Sequence, residues 1–460
     1  MDKILNTDRT AIKNILSKTL TLAGNYFDKQ DDLAPGRFIP NIELVDVPIK
    51  GIGAEATLNY FEKNFADKIT NSAGSRYFGF VTGGSTPAAV AGDWLVSTFD
   101  QNACGSNDSI APQIERQTIH FLKQLFGLEE EYFGSFVTGA TISNMVSLAL
   151  ARQWAGEQIG VDVSEEGQGK LAGLKIISGT PHSSILKSLS MLGIGKRAIN
   201  KIDTLPDREA IDITKLDKFL QGNQGNPLIV VANAGTVNTV DFDDLEAIGK
   251  LKSKYKFWLH VDAAFGGFAA LSEKYKHLVN GINYADSICI DAHKWLNVPY
   301  DAAMQFTRHK NLQLKVFQNS AAYLGDPNQS PDYFHYTPEN SRRWRALPSW
   351  FTLMAYGKEG HCDIVERNCA GAMQLGDWIS QSDKFKLLAP VRMNVVCFTL
   401  NQKELTMSDI HKYLAAVRDD GRVFFTPTVY KGVPGIRAAI SNWQTIKEDI
   451  EIAIEVLSKL

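Results

Sequence analysis

The stretch ICIDAHKWLNVP, Ile288 to Pro299, holds one residue out of keeping with its place. Ser287, Ile288, Cys289 and Ile290 have the composition of a buried strand, and the run ends in Asp291, His293, Lys294 and Trp295. Lysine is among the residues least often buried. An amine where a core strand ends, between an imidazole and an indole, calls for a chemical reason. Outward from it lie five more apolar runs of the same kind: GSFVTGA, LKIISGT, PLIVVANAGT, FWLHVDAAF and AAMQFT. Their apolar residues are consecutive rather than alternating, the pattern of strands buried on both faces of a mainly parallel sheet. Helical stretches separate them. The alternation predicts an α/β fold, a mostly parallel central sheet with helices on both faces. Several runs end in small or polar residues, and in open α/β sheets ligands bind at the carboxyl ends of strands.

With 460 residues the chain can bury a large core in two or three structural units. Residues 1–75 read as an N-terminal helical segment, broken by the loop DDLAPGRFIP. Residues 76–345 hold the apolar runs of a large domain. In that domain Ile114, Thr118, Phe121, Leu122, Leu125 and Phe126 fall on one helical face, with Gly127 in the C-cap position. Residues 346–460 restart a helix at LPSWFTLMAYGKEG and supply the strands NVVCFTL and GIRAAISN of a small C-terminal α/β domain.

The net charge of -3 gives no electrostatic footprint for nucleic acid or an anionic membrane. The five cysteines, Cys104, Cys289, Cys362, Cys369 and Cys397, form no C-x-x-C pair and no zinc spacing, so no metal is expected. They read as reduced core thiols of a reducing compartment. The charged N-terminus has no apolar leader, and no apolar run reaches membrane-spanning length. These features point to a cytoplasmic protein.

Four strand-end features carry chemistry. In VTGATISNMVSLALAR, a turn of Gly139, Ala140 and Thr141 precedes a helix beginning near Ile142. Such a helix start either binds an anion or is a tight turn capped by Thr141. His182 follows the run containing Ile176 and Ile177. Asp262 sits among apolar residues in HVDAAFGG, where a carboxylate needs a cation or hydrogen bonds, and Ala263 and Ala264 leave room for something flat. Lys294 ends the next run. Pyridoxal 5'-phosphate (PLP) asks for all four: an amine, an acid beside its pyridine nitrogen, an anion cradle and a flat partner for its ring. The amine is nucleophilic when desolvation or neighbours lower its pKa.

With PHSS, HVDAAFGG, DAHKWLNVP and SRRWRALPSW in this order, the chain resembles the group II PLP-dependent amino-acid decarboxylases. That family includes the aromatic-L-amino-acid and glutamate decarboxylases, and the resemblance runs from the region of Tyr77 to the C-terminus. It implies the fold of a fold-type I PLP-dependent transferase and a homodimer with shared active sites. It also implies that Lys294 bonds the cofactor's aldehyde and that Asp262 pairs with the pyridinium nitrogen. His182 is implied to stack on one ring face, with Ala264 against the other. Ala140 and Thr141 are implied to bind the phosphate, assisted by His293. Thr236, in ANAGTVNTVDFDD, matches a threonine near the ring. Tyr333, in the long polar loop 324–344, matches a loop tyrosine implied to protonate the substrate carbon from the neighbouring subunit. Tyr323 and Tyr336 are its alternatives. There is one departure: animal aromatic decarboxylases have Asn-Pro before His-Lys, whereas this chain has Asp291-Ala292. A carboxylate near the phosphate would repel it, so Asp291 should face away or hydrogen-bond elsewhere.

The implied reaction is α-decarboxylation of an L-amino acid to its amine and CO₂, with Lys294, His182 and Tyr333 as catalytic groups. No arginine is assignable to a second carboxylate, which favours an aromatic or other uncharged side chain. The alternatives are an acidic or diamino-acid decarboxylase, another PLP-dependent lyase, or a cofactor-binding homologue without turnover. A desulfurase would need a reactive cysteine in the 324–344 loop, which has none. Retention of Lys294, Asp262 and His182 argues against loss of turnover. Phe78, Phe80, Trp94 and Asn102 fall where the family's substrate pocket is lined, although core packing explains such aromatics equally well.

Overall fold

The computed structural model describes residues 1–39, 41–102, 109–319 and 332–460; Cys104, Tyr323 and loop residues 324–331 lie outside the described residues. Seven strands form the large sheet: β1 (Phe133–Val137), β2 (Lys175–Ser178), β3 (Ile199–Lys201), β4 (Leu228–Asn233), β5 (Trp258–Asp262), β6 (Ser287–Ile290) and β7 (Ala303–Thr307). Their order is β1-β7-β6-β5-β4-β2-β3. β7 runs antiparallel to both its neighbours, β1 and β6, while the other pairings are parallel. Two reversals restore direction, so β1 points the same way as β6 and the parallel set. The carboxyl ends of six strands therefore share one edge. Every residue of β4, β5, β6 and β7 is buried, which is what the unbroken apolar runs predict for strands covered on both faces.

Helices α1 (Lys3–Asp28), α2 (Ala54–Asn64), α3 (Pro87–Phe99), α4 (Ala111–Phe126) and α5 (Ala140–Glu157) precede or follow β1. α4 ends as its pattern predicts, on Gly127 in the left-handed region at φ 64°. Two thirds of the residues of α5 are buried. α1 differs, because none of its residues is buried, and Leu5, Ile12, Leu16 and Leu20 stand exposed.

Helix Ala346–Ser380, interrupted at Gly357, leads into a second sheet. Its strands are β8 (Phe385–Leu387), β9 (Val395–Leu400), β10 (Thr426–Tyr430) and β11 (Val433–Ala439), in the order β10-β11-β9-β8 and antiparallel throughout. Phe78 is buried in the core behind this sheet, its ring 5.8 Å from Phe425. Packing therefore accounts for Phe78. Phe80 is exposed, Trp94 lines a surface groove with Tyr26 and Phe27, and Asn102 accepts a hydrogen bond from the Arg342 backbone. Among the described residues no helix is long and apolar enough to cross a membrane.

Candidate active site

β6 ends at Ile290, and a single helical turn, Ala292–Trp295, turns Lys294 over the sheet edge. The turn is held from below. The Trp295 indole is buried and donates to Asn368 Oδ1 at 2.8 Å, so it points away from the amine. Asn297, in the left-handed region at φ 56°, donates to the carbonyls of Gly83 and Ser441. Gly83 is required here, because a Cβ on it would collide with the Lys294 carbonyl. The aromatic neighbour of the Lys294 ammonium is Phe265, 5.7 Å from nitrogen to ring centre.

β5 lies beside β6 and ends in Asp262, whose partner in register is Cys289. Asp262 Oδ2 accepts from the Asn144 amide at 3.1 Å and Oδ1 from the Ala264 N–H at 3.2 Å. Hydrogen bonds answer part of the cost of burying this carboxylate. Ala140, Ala264 and Cys289 pack together as a floor of small side chains. After β2, His182 caps helix Ser183–Met191, with Nδ1 2.7 Å from Ser184 Oγ. Burial pulls the His182 pKa down; Asp262 opposes this, and the charges of Lys294 and Arg437 reinforce it.

α5 begins at Ala140 with Gly139 as its N-cap, two residues earlier than expected, and no side chain caps it. The Thr141 N–H has no partner among the described residues. The Ala140 N–H donates to Asp291 Oδ2 at 3.3 Å. Asp291 thus does not face away: its carboxylate sits at the anion-binding end of the helix. Lys294 Nζ is 3.5 Å from Oδ2, and His293 Nε2 is 3.1 Å from Oδ1 but out of line for a hydrogen bond. The His293 ring lies against Tyr300 at 4.4 Å, and its Nδ1 accepts from the Ala302 N–H. Burial lowers the His293 pKa, with Asp291 opposing.

Two expected residues are engaged elsewhere. The Thr236 hydroxyl donates to Glu209 at 2.5 Å, alongside Thr239 at 2.6 Å. Tyr333 is buried, its ring stacked on Phe133 at 6.1 Å and beneath the Arg342 guanidinium at 4.6 Å. Phe133 is the first residue of β1, and Val137, at the site's edge, is the last. Tyr333 is therefore not gathered with Lys294, Asp262 and His182. Tyr336 packs on Phe133 as well.

Sequence reasoning missed Asn144, Ser184, His260 and Arg437. Arg437, on β11, is buried with one hydrogen bond, to the Val237 carbonyl at 3.1 Å, and no carboxylate partner among the described residues. A charge in the middle of the apolar run GIRAAISN was its signal.

The amine, the buried carboxylate, the small-residue floor, the histidine and the uncapped helix start fit a flat, phosphate-bearing aldehyde. The family model described as the pyridoxal-dependent decarboxylase conserved domain matches residues 35–401, most of the chain. The chain belongs to this family. This decarboxylase is 26% identical over 427 residues to the aromatic-L-amino-acid decarboxylase of Bacillus atrophaeus, covering 90% of this chain and 86% of the relative. It is 30% identical over 295 residues to the enzyme of the same name from Drosophila melanogaster, covering 63% and 56%. Among solved structures, the fold matches Oryza sativa TDC with PLP and tryptamine at a TM-score of 0.89 and 21% identity, covering 100% and 99% of the two chains. It matches Catharanthus roseus tryptophan decarboxylase in complex with L-tryptophan at 0.85 and 19%, covering 98% of each. The decarboxylase is a PLP-dependent carboxy-lyase acting on an amino acid.

Proposed function

We propose that the protein converts an L-amino acid with an aromatic or other uncharged side chain to its amine and CO₂. The observation that carries this reading is the placing of Asp262 at the end of β5 and Lys294 on the turn that follows the adjacent strand β6, beside one floor of Ala140, Ala264 and Cys289. Bound PLP supplies the sink for the electron pair left when the carboxylate departs. Lys294 binds its aldehyde, Asp262 keeps a proton on its ring nitrogen, and His182 and Ala264 take the two ring faces. The N–H groups of Ala140 and Thr141 hold the phosphate, with His293 beside them and Thr236 near the ring. The names of the relatives support an aromatic substrate. A panel of L-amino acids scored for CO₂ tests it: aromatic substrates should lead, and release from glutamate alone overturns the side-chain assignment.

Arg437 receives the substrate carboxylate, since a buried guanidinium without an acidic partner is ready for one. Arg437→Gln should raise KM about tenfold, the order of one lost charge-assisted hydrogen bond, with a smaller fall in kcat. Steady-state kinetics on the preferred amino acid read both.

Asp291 and a phosphate compete for the same helix end. Asp291→Asn should tighten PLP binding by about tenfold, a modest Coulomb term at partly screened distance, measured by absorbance titration of the apoprotein. Weaker binding would show that Asp291 supports the site through Lys294 and His293 rather than competing with the phosphate.

Tyr333 is the proton donor to the substrate carbon, acting on the neighbouring subunit after leaving its stack on Phe133. Tyr333→Phe should slow amine release by about 10²-fold, the usual size of a general-acid contribution, and raise the share of aldehyde or ketone by-products. An unaltered product ratio excludes it.

The working unit we propose is a cytoplasmic homodimer. α1 has no buried residue, and its exposed Leu5, Ile12, Leu16 and Leu20 are suited to burial against a second copy.

A further inference from the structure

Asp262 and His182 are tied into one buried chain of hydrogen bonds. The Trp258 indole N–H donates to Ser287 Oγ at 3.0 Å, and Ser287 Oγ lies 3.0 Å from His260 Nδ1. His260 Nε2 lies 2.9 Å from Asn144 Oδ1. The Asn144 amide nitrogen reaches Asp262 Oδ2 at 3.1 Å and Ser184 Oγ at 3.0 Å. Ser184 Oγ in turn lies 2.7 Å from His182 Nδ1. Trp258, Ser287, His260 and Asn144 are fully buried, and Ser184 and Asp262 nearly so.

An indole N–H only donates, and an ionised carboxylate only accepts. With one at each end, the protons between them have a single arrangement. Ser287 donates to His260 Nδ1, His260 Nε2 donates to Asn144 Oδ1, and the Asn144 amide donates to Asp262 and to Ser184. The Ser184 hydroxyl then donates to His182 Nδ1, which leaves the His182 proton on Nε2. The Ser184 backbone N–H also points at His182 Nδ1, at 3.3 Å, which agrees with a bare nitrogen there. Burial pushes the His260 pKa down to about 4, against the pull of Asp262, so the ring stays neutral and the polarity of the chain is kept near neutral pH.

We propose that Asn144 is a positioning residue for decarboxylation, one amide that sets both the carboxylate facing the ring nitrogen and the tautomer of the histidine over the ring. This rests on the roles proposed above for Asp262 and His182. Asn144 sits on the second turn of α5, whose first N–H groups would hold the phosphate. One rigid helix thus sets both ends of the cofactor site, and the charged groups around His182 are Asp262, Lys294, Arg437 and Asp291.

The test uses purified holoenzyme and reads the pH titration of its visible absorbance together with kcat and KM. In Asn144→Leu the absorbance midpoint should move by about one pH unit or more, and kcat should fall about tenfold with KM within about twofold. A folded Asn144→Leu protein with midpoint and kcat unchanged overturns the proposal. Ser184→Ala cuts only the branch to His182, and it should lower kcat while leaving the midpoint in place. Unchanged kcat in Ser184→Ala overturns that branch even if Asn144→Leu does not fold. Asp262→Asn is the reference. If it also leaves the midpoint unmoved, the reading of Asp262 itself fails; if it alone moves the midpoint, only the role of Asn144 fails.

Discussion

Lys294→Ala should yield a folded protein whose bound PLP lacks the visible band of a lysine-linked cofactor and whose decarboxylation falls by about 10⁶-fold, the scale seen when a covalent catalytic group is removed. The size follows from the geometry. Lys294 Nζ stands 3.5 Å from Asp291 and 5.7 Å from the centre of the Phe265 ring, and no other lysine pairs with Asp291 among the described residues. The turn that carries Lys294 is held by Trp295 on Asn368 and by Asn297 on Gly83 and Ser441, none of which needs the lysine side chain. Folding should therefore survive, and circular dichroism separates loss of chemistry from loss of structure. A visible band that persists unchanged would remove Lys294 from the centre of the site.

Asp262→Asn should lower kcat by about 10³-fold while leaving PLP bound, because it removes a preorganised charge at the place where the reaction needs it. The replacement is nearly isosteric and keeps the Ala264 N–H satisfied through its carbonyl oxygen. What it loses is the negative charge that keeps a proton on the ring nitrogen. It also turns an NH2, which can only donate, toward the Asn144 amide nitrogen, so the acceptor that dictates the polarity of the buried chain at that end is lost. Single-turnover kinetics, with bound cofactor quantified by absorbance, separate slow chemistry from weak loading. A kcat within threefold of the parent protein would show that the ring nitrogen does not depend on this carboxylate.

Much of the large sheet was legible because burial on both faces leaves a crude signal: six unbroken apolar runs became β1, β2, β4, β5, β6 and β7. β3, with the sequence Ile199-Asn200-Lys201, is a half-exposed edge, and its composition does not distinguish it from a loop. β8 and β10 are edges of the small sheet with mixed burial. The reversal of β7 was illegible in principle, since an apolar run reads the same in either direction. In the site, Lys294, Asp262 and His182 announce themselves as polar groups at the ends of apolar strands. Asn144 does not, because an asparagine inside a helix has no fixed partner until β5 and helix Ser183–Met191 are packed beside it. Phe78 shows the opposite limit, where an aromatic among aromatics is silent about which core it joins. Asp291 was recognised as the odd residue, but only the packing reveals that it occupies the helix end.

The reversal of β7 also dictates an order of assembly. Among the described residues β1 has a single strand neighbour, residues 133–137 pairing with residues 303–307. Lys294, Asp262, His182 and Asn144 all leave the ribosome before β7 does. Until β7 arrives, β6 has one open side, and β1, with the helix start that follows it, has no sheet to join. Contacts so distant along the chain form late, after loop closure has been met by other pairings. The residues of the catalytic centre are thus synthesised well before there is a centre, and a five-residue strand with no catalytic side chain of its own is the piece that closes it.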